Sequence, residues 1–174
     1  SFSRAQLTLT VRTEAPMSQP INRYKADLRD VRFVLFEQFK LQDLLGHAPY
    51  ANWGKEEINA VLDELYAWTK ETLGPLNAPG DATGCTLENG KVKTPAGFKA
   101  AWKSLYDVGW RRLSVPEAFG GQDGPFTLHA VAEELMCGAN TAFNMYPALT
   151  QGVAEVVQNF GTTEQIAMHL LILR

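Results

Sequence analysis

The sequence has few cysteines, no excess of basic residues and no long apolar run. Its two cysteines, Cys85 and Cys137, are too few for a disulfide framework or a zinc site, so we expect reduced thiols in a cytoplasmic protein. Lys and Arg total 16 against 19 for Asp and Glu, and this net charge of -3 argues against nucleic acid as a partner. The longest apolar run, residues 168–173, is far shorter than the roughly 20 residues that span a bilayer, so we expect no membrane partner.

What the chain does have is enough apolar material for one folded domain. Of its 174 residues, 45% are hydrophobic, which supports a single core. We assign residues 24–174 to that domain and expect residues 1–23 to be a leader, disordered or non-native. Residues 1–16 lack the apolar segment of a signal peptide, and Met17 follows them directly. A misassigned start, a vector-derived leader and a real edge strand all stay open for this segment.

Apolar residues recur every three or four positions through most of residues 24–174, which predicts an all-α fold. We expect a bundle of about six helices. The first helix spans residues 30–46, and the second spans residues 58–73 and ends at Gly74-Pro75. The third starts at a Thr94-Pro95 cap and ends at Gly109, and the fourth runs from Pro125 to a break at residues 138–140. The fifth runs from Phe143 to Gly161 with a kink or division at Pro147, and the sixth opens at the capping box of residues 162–165. Between the second and third helices, residues 91–93 can form at most a short strand or hairpin arm.

Three groups of residues could carry chemistry, and each also has a plain structural interpretation. Residues 120–124 are glycine-rich but lack the Lys and Ser or Thr of a phosphate-binding loop, which favours a turn with positive φ. His129 and Glu133 lie four residues apart, yet the paired motifs of a di-iron bundle do not occur, so we favour a solvated face and predict no metal site. Cys137 and His129 could act as nucleophile and base, but no third group orients the imidazole, so we favour a packing thiol.

The large aromatic residues lie on the apolar faces of the predicted helices. Trp68, Phe98, Trp102 and Phe160 fall at such positions, so we expect them in the core rather than on a stacking platform. From its residues alone, the sequence therefore predicts a helical domain without a self-contained active site.

Several short motifs follow one another in an order that is similar to that of a known family. They are Leu28-Arg29-Asp30-Val31-Arg32-Phe33-Val34-Leu35-Phe36-Glu37, Pro75-Leu76-Asn77, Gly80-Asp81, Gly84-Cys85, Thr94-Pro95-Ala96-Gly97-Phe98, Gly109-Trp110, Pro116-Glu117, Gly120-Gly121-Gln122, Glu133-Glu134-Leu135, Ala139-Asn140 and Tyr146-Pro147-Ala148-Leu149-Thr150. With this order of motifs, the chain from Tyr24 to about Gln165 resembles the N-terminal helical part of the flavin-dependent acyl-CoA dehydrogenases. Within that family, it resembles the bacterial branch with an extra N-terminal helix, which includes the methylmercaptopropionyl-CoA dehydrogenases.

This resemblance implies an activity that needs more than the present chain. In the family, a carboxylate removes a proton next to the carbonyl of an acyl-CoA while FAD accepts a hydride from the neighbouring carbon, which yields the 2-enoyl-CoA. A middle β-domain and a C-terminal helical bundle supply nearly all flavin contacts and the catalytic Glu. Neither follows in this sequence, and residues 168–174 stand where the family has Tyr-Leu-Pro, so we assign no catalytic role to Glu133 or Glu134. We expect FAD in the complete enzyme, none on this chain alone, and no turnover without the other domains.

The resemblance also implies one wall of an acyl-binding cleft, because the family lines the acyl tail with helices that correspond to the fourth and fifth. The residues carried over to that wall are Leu135, Phe143, Met145, Tyr146 and Leu149, and ordinary core packing is the alternative for them. Acyl-CoA and the remaining enzyme domains are the implied partners, and a homo-oligomer is left open. The alternative for the whole chain is a stand-alone, truncated helical interaction module without catalysis.

Overall fold

The computed structural model describes residues 22–172, which form six α-helices and one β-hairpin. The helices are α1 (Leu28–Arg32), α2 (Lys55–Trp68), α3 (Gly74–Thr83), α4 (Phe98–Val108), α5 (Phe126–Phe160) and α6 (Thr163–Ile172). The hairpin consists of β1 (Thr86–Glu88) and β2 (Lys91–Lys93), and all of its strand residues are exposed. The helical fold predicted from the sequence is therefore confirmed.

The first predicted helix is shorter than expected. α1 continues as a π-helical segment, Phe33–Gln38, and the chain then leaves the helix at Lys40, whose φ is 54°. A left-handed residue cannot continue a right-handed helix. The later residues of the predicted apolar face, Leu41 and Leu45, are nevertheless buried, because a 3-10 turn at Leu41–Leu44 directs the chain back to the core.

The predicted end of the second helix at Gly74-Pro75 is wrong. A π-helical turn, Thr69–Leu73, follows α2, and the amide of Gly74 donates to the carbonyl of Thr69. The helix resumes as α3 with Pro75 in its first turn, where the missing N–H has no intrahelical acceptor to lose. The helical path therefore ends only at Gly84, whose φ is 60°.

The hairpin confirms the short strand predicted at residues 91–93. β1 and β2 pair antiparallel, with Leu87 opposite Val92. Asn89 and Gly90 connect the strands with φ values of 52° and 74°. Positive φ at both central residues is what a two-residue type I′ turn requires, which explains the Asn-Gly pair.

α4 begins later than the predicted cap at Thr94-Pro95. Its N-cap is Gly97, a left-handed residue with φ 86°, so the prediction of a Thr94 cap is wrong. A Cβ at Gly97 would overlap the side chain of Leu76 on α3, so glycine allows the close approach of the two segments. Gly109, with φ 93°, ends α4 as predicted.

α5 bends sharply at Asn140, whose φ of -160° and ψ of 86° are not helical. The break predicted at residues 138–140 is confirmed, but the helix resumes at once, so the fourth and fifth predicted helices form one element. The kink or division predicted at Pro147 is wrong, because helical geometry continues through that residue. Asn140 is the N-cap of the second half: its Oδ1 accepts the amide of Phe143 at 2.9 Å, and its Nδ2 donates to the carbonyl of Leu73 at 3.5 Å.

α6 begins with the capping box that the sequence predicts. The amide of Thr162 donates to Oε1 of Gln165 at 2.8 Å, and the amide of Gln165 donates to Oγ1 of Thr162 at 3.3 Å. This reciprocal pair satisfies two of the amides that the start of a helix leaves without partners.

The core lies between α2, the π-helical turn after it, α4 and the first half of α5. Fully buried side chains come from each of these elements: Ile58, Leu62, Leu65, Leu73, Leu105, Leu128 and Met136. Of the four aromatic residues predicted for the core, Phe98 is buried and Trp68 is half-buried, but Trp102 is exposed at the edge and Phe160 is 85% exposed. Phe160 is exposed because it lies at the end of α5, beyond the elements that form the core.

Within residues 22–172, no helix is long and apolar enough to cross a membrane. The leader assigned to residues 1–23 lies almost entirely outside the described residues. That assignment, and the domain assigned to residues 24–174, stay predictions.

We predict that Asn140→Ala lowers the free energy of unfolding by about 2 kcal/mol, because it removes the N-cap of the second half of α5 and the acceptor of the Phe143 amide. Asn159→Ala, at an exposed position of the same helix, is the matched control and should change that free energy by at most about 0.5 kcal/mol. Urea denaturation of both variants measures the difference. Equal stability of the two variants would contradict the capping role of Asn140.

Candidate functional site

An apolar cavity of about 210 Å³ lies between α4 and α5. The residues that line it are Thr94, Phe98, Lys99, Trp102, Phe143 and Tyr146. Phe98 and Trp102 are one helical turn apart, so α4 presents both rings on one face. Because Trp102 and Tyr146 are partly exposed, the cavity opens to solvent.

Edge-to-face contacts hold the rings of this cavity. The ring centroid of Phe98 lies 5.5 Å from that of Phe143 and 6.1 Å from that of Tyr146, with interplanar angles of 79° and 90°. This geometry places the positive edge of one ring against the negative face of the next, which is the favoured arrangement for aromatic pairs. One ring of α4 thereby contacts two rings in the second half of α5.

The structure separates the five residues predicted for an acyl-binding wall. Phe143 and Tyr146 line the cavity between α4 and α5. Leu135 precedes the bend and lines a different cavity, of about 400 Å³, between α1 and α5. Met145 and Leu149 lie on the outer face of α5 and are 66% and 78% exposed. Their assignment to an acyl wall stays a prediction.

Phe98 and Trp102 are cavity residues that the sequence pattern indicated only as core. Their spacing predicts a common face of α4, but it does not say what lies opposite. The bend at Asn140 brings Phe143 and Tyr146 to that face. The pattern of apolar positions therefore predicts that Phe98 and Trp102 share one face of α4, but it does not predict the cavity.

Tyr146 is contacted at the rim of the cavity by the segment that leads to the hairpin. The Sγ atom of Cys85 lies 3.2 Å from the Oη atom of Tyr146. This contact, together with partial burial, raises the pKa of the Tyr146 hydroxyl. Cys85 and Cys137 are both free thiols, and they differ in that Cys85 is exposed and Cys137 is half-buried.

The second half of α5 has an exposed apolar face, which we call the α5 stripe. Its members follow one another at intervals of three or four residues: Met145, Leu149, Val153, Val156 and Phe160. At the end of the stripe, Phe160 of α5 and Met168 of α6 help to line a groove of about 460 Å³. Contiguous exposed apolar surface of this kind is typical of a surface that contacts another protein or domain.

Arg111, Glu133 and Asn144 form a buried polar cluster at the bend of α5. Arg111 is only 4% exposed and donates through Nη1 to Oε1 of Glu133 and through Nη2 to the carbonyl of Pro147, the latter at 3.1 Å. Asn144 donates through Nδ2 to Oε2 of Glu133 at 2.7 Å. A guanidinium at this depth requires a paired carboxylate, and Glu133 supplies it.

The solvated face predicted at His129 and Glu133 is wrong. His129 is buried, and Glu133 is half-buried because it pairs with Arg111. Burial lowers the pKa of His129, although the carboxylates of Glu133 and Glu155 act in the opposite direction.

Cys137 belongs to the polar cluster rather than to a nucleophile and base pair. Its Sγ accepts a hydrogen bond from Nδ2 of Asn144 at 3.1 Å, while Nε2 of His129 lies 3.9 Å from Oε1 of Glu133. Among residues 22–168, whose side chains the structure describes, there is no group of three His, Cys, Asp or Glu side chains that could hold a metal ion.

The glycine-rich loop at residues 120–124 is a closed turn that does not fit a phosphate group. Gly120 has the positive φ, 80°, that the sequence predicts. The amides of this loop donate to carbonyl groups of Glu117, Pro116, Arg112, Val115 and Leu113. Since none of these amides is left for a pyrophosphate, the loop does not fit the FAD that the resemblance implies for the complete enzyme.

We predict that His129 destabilises the folded chain at mildly acidic pH. Its pKa is lowered from the ordinary 6.5 in the folded state, so the unfolded chain binds more protons, and stability falls as the pH drops through 6.5 towards the lowered pKa. His129→Gln should remove this part of the pH dependence, whereas His47→Gln, at an exposed histidine, should keep it. Urea denaturation from about pH 7.5 to about pH 5 measures the effect. The same pH dependence in His129→Gln as in the parent would contradict the prediction.

Comparison with known proteins relates this helical bundle to one enzyme family. A family model described as the acyl-CoA dehydrogenase N-terminal domain matches residues 55–171. The chain is 31% identical over 147 residues to the 3-methylmercaptopropionyl-CoA dehydrogenase of Ruegeria pomeroyi, which covers 84% of this chain and 25% of that protein. It is 26% identical over 147 residues to a broad-specificity linear acyl-CoA dehydrogenase of Mycobacterium tuberculosis, which covers 83% of this chain and 24% of that protein.

A butyryl-CoA dehydrogenase of Syntrophomonas wolfei is 27% identical over 145 residues, covering 81% of this chain and 24% of that protein. The chain thus spans about a quarter of the length of the curated relatives it matches. The matched residues 55–171 run from the first residue of α2 almost to the end of α6, so they include the cavity, the bend and the polar cluster. The chain belongs to the acyl-CoA dehydrogenase family, and it corresponds to the N-terminal domain of these enzymes.

Proposed function

We propose that this chain forms one wall of the acyl-binding cleft of an FAD-dependent acyl-CoA dehydrogenase, which oxidises an acyl-CoA to its 2-enoyl form. The cavity between α4 and α5 is the observation that carries the proposal. It is apolar, it is lined by four aromatic side chains, and it opens to solvent. These are the properties expected of a site that receives an acyl tail.

The chemical groups of this oxidation would come from the remaining domains of the complete enzyme. In that complete enzyme, a carboxylate would remove the proton, and FAD held by the other domains would supply the capacity to take up a hydride. This chain would orient the acyl tail between Phe98 on α4 and Phe143 and Tyr146 on α5, and it would exclude water from that tail. Lys99 is the one charged residue among those that line the cavity, so the wall is suited to an uncharged chain.

The α5 stripe supports the remaining domains as partners. Met145 and Leu149 begin the stripe, directly beside the cavity residue Tyr146. A domain that covers the stripe would bury both side chains and close the cleft over the acyl tail. We include both residues in the proposed wall on this ground. A homo-oligomer and a cytoplasmic location belong to the same proposal.

Titration of the isotopically labelled chain with butyryl-pantetheine, followed by NMR, tests the proposed wall. We expect shifts in the signals of Phe98, Phe143 and Tyr146, and no such shifts with pantetheine that lacks the acyl group. Tyr146→Ala should weaken binding about tenfold, or roughly 1.4 kcal/mol, because one aromatic face is lost. Leu44→Ala, at an exposed leucine that does not line the cavity, is the control and should not change the affinity. Equal shifts with both ligands, or shifts confined to the cavity beside α1, would contradict the proposal.

The α5 stripe also supports the second candidate, a stand-alone helical interaction module without catalysis. Such a module would use the stripe for a specific partner, whereas an acyl-CoA dehydrogenase domain would use it for the rest of its own enzyme. A module should have one defined oligomeric state, while a domain without its partner domains should associate without fixed stoichiometry.

We predict that the mass of this chain in light scattering rises with concentration, because the α5 stripe associates without a fixed geometry. Leu149→Glu combined with Val156→Glu should keep the mass at that of one chain. Leu87→Glu combined with Val92→Glu, which adds the same charges to the exposed hairpin, should leave the rise unchanged. A constant mass of a defined multimer would contradict this prediction and favour the interaction module.

A further inference from the structure

A single arginine connects the two halves of α5 across the bend at Asn140. Arg111 comes from the turn that follows α4 and is buried where it contacts α5 on both sides of the bend. One end of its guanidinium donates to Glu133, seven residues before Asn140, and the other end donates to the carbonyl of Pro147, seven residues after it. Both halves of the helix are therefore bound to one rigid, planar group.

Asn144 provides a second connection across the same bend. Its Nδ2 donates to Oε2 of Glu133 at 2.7 Å and to Sγ of Cys137 at 3.1 Å, both of which precede Asn140. The two oxygens of Glu133 thus accept from two different partners, Arg111 and Asn144. Because Asn144 is in the second half of α5 and Glu133 is in the first, the Glu133 carboxylate connects the two halves.

The two aromatic residues that α5 contributes to the cavity lie within the segment that these contacts hold. Phe143 and Tyr146 are between Asn140 and Pro147, and they face Phe98 at centroid distances of 5.5 Å and 6.1 Å. A change in the angle at Asn140 would swing both rings relative to α4. The displacement would be larger for Tyr146, because it is farther along the helix from the bend and is partly exposed, whereas Phe143 is fully buried.

We propose that Arg111 is a positioning residue for the acyl wall: by binding Glu133 and the carbonyl of Pro147 together, it holds the bend of α5 and so sets the width of the cavity. The acyl chains that the cavity admits would then depend on a residue that does not line it. This inference rests on the proposed function for its acyl ligand, but the geometric part concerns this chain alone.

A purely structural role for the cluster makes a different prediction, which substitutions can separate. Removal of Arg111 alone leaves the half-buried charge of Glu133 with only the neutral Asn144 as a partner and destabilises the fold for that reason. Replacement of both charged residues by apolar residues of similar size avoids this, and such replacements are often neutral or stabilising. A double variant can therefore keep its stability and still lose the connection to Pro147.

The test compares Arg111→Met/Glu133→Leu with Arg112→Met/Glu134→Leu, which makes the same two changes one residue further along each segment. Arg112 contacts the carbonyl of Tyr106, and Glu134 is exposed. NMR cross-relaxation between rings is measured without ligand. We expect the first variant to unfold cooperatively, to keep the Phe98 to Phe143 signal and to lose the Phe98 to Tyr146 signal. The control variant should keep both signals.

Arg111→Lys provides a second measurement that does not depend on the double variant. Lysine keeps the positive charge beside Glu133, but its single ammonium cannot reproduce the fork that also reaches Pro147. We expect a folded chain with a weakened Phe98 to Tyr146 signal. Wild-type signals in Arg111→Lys and in the double variant would overturn the proposal, and so would failure of both to fold, since the cluster would then maintain the fold as a whole.

Ligand titration tests the consequence for specificity. We expect the ratio of the affinities for octanoyl-pantetheine and butyryl-pantetheine to change in Arg111→Met/Glu133→Leu and to stay unchanged in the control variant. An unchanged ratio would overturn the role of Arg111 in selecting acyl chains. If the wild-type chain shows no acyl-dependent shifts at the cavity, the proposed function fails, while the ring signals still decide whether Arg111 holds the bend.

Discussion

A guanidinium inside a helical bundle needs a carboxylate partner, and in this chain Arg111 finds that partner in Glu133. The pair brings the turn after α4 against the bend of α5. Asn140 supplies the matching local condition, because the backbone leaves the helix there and the side chain caps the segment that follows. The cavity between α4 and α5 results from these two constraints, since its α5 rings lie directly after the bend.

Features that depend on a few neighbouring residues could be predicted from the sequence. The capping box of α6 needs only Thr162 and Gln165, and the hairpin turn needs only Asn89-Gly90. Residues 138–140 likewise predict the break in the helix before Phe143. In each case the residue type itself satisfies the local backbone, so distant contacts are not needed to explain the structure.

Features that depend on distant partners could not be predicted in this way. The pattern at His129 and Glu133 indicated a solvated face because Arg111, the partner that accounts for the burial of Glu133, is 22 residues earlier in the chain. Gly74-Pro75 reads as a helix end because a π-helical turn leaves no pattern in apolar spacing. The same limit applies to the site: the family resemblance indicated Phe143 and Tyr146, but only the folded chain places Phe98 opposite them.

The central claim is that this helical bundle is one wall of a larger enzyme. Sequencing the encoding DNA through and beyond the Arg174 codon, with translation of all three frames, tests it most directly. The account predicts that one frame continues α6 into a middle β-domain and then a helical bundle that carries the catalytic Glu. Unrelated sequence after a stop codon in every frame would contradict the account, and the chain would then be a helical module with functional partners still to be identified.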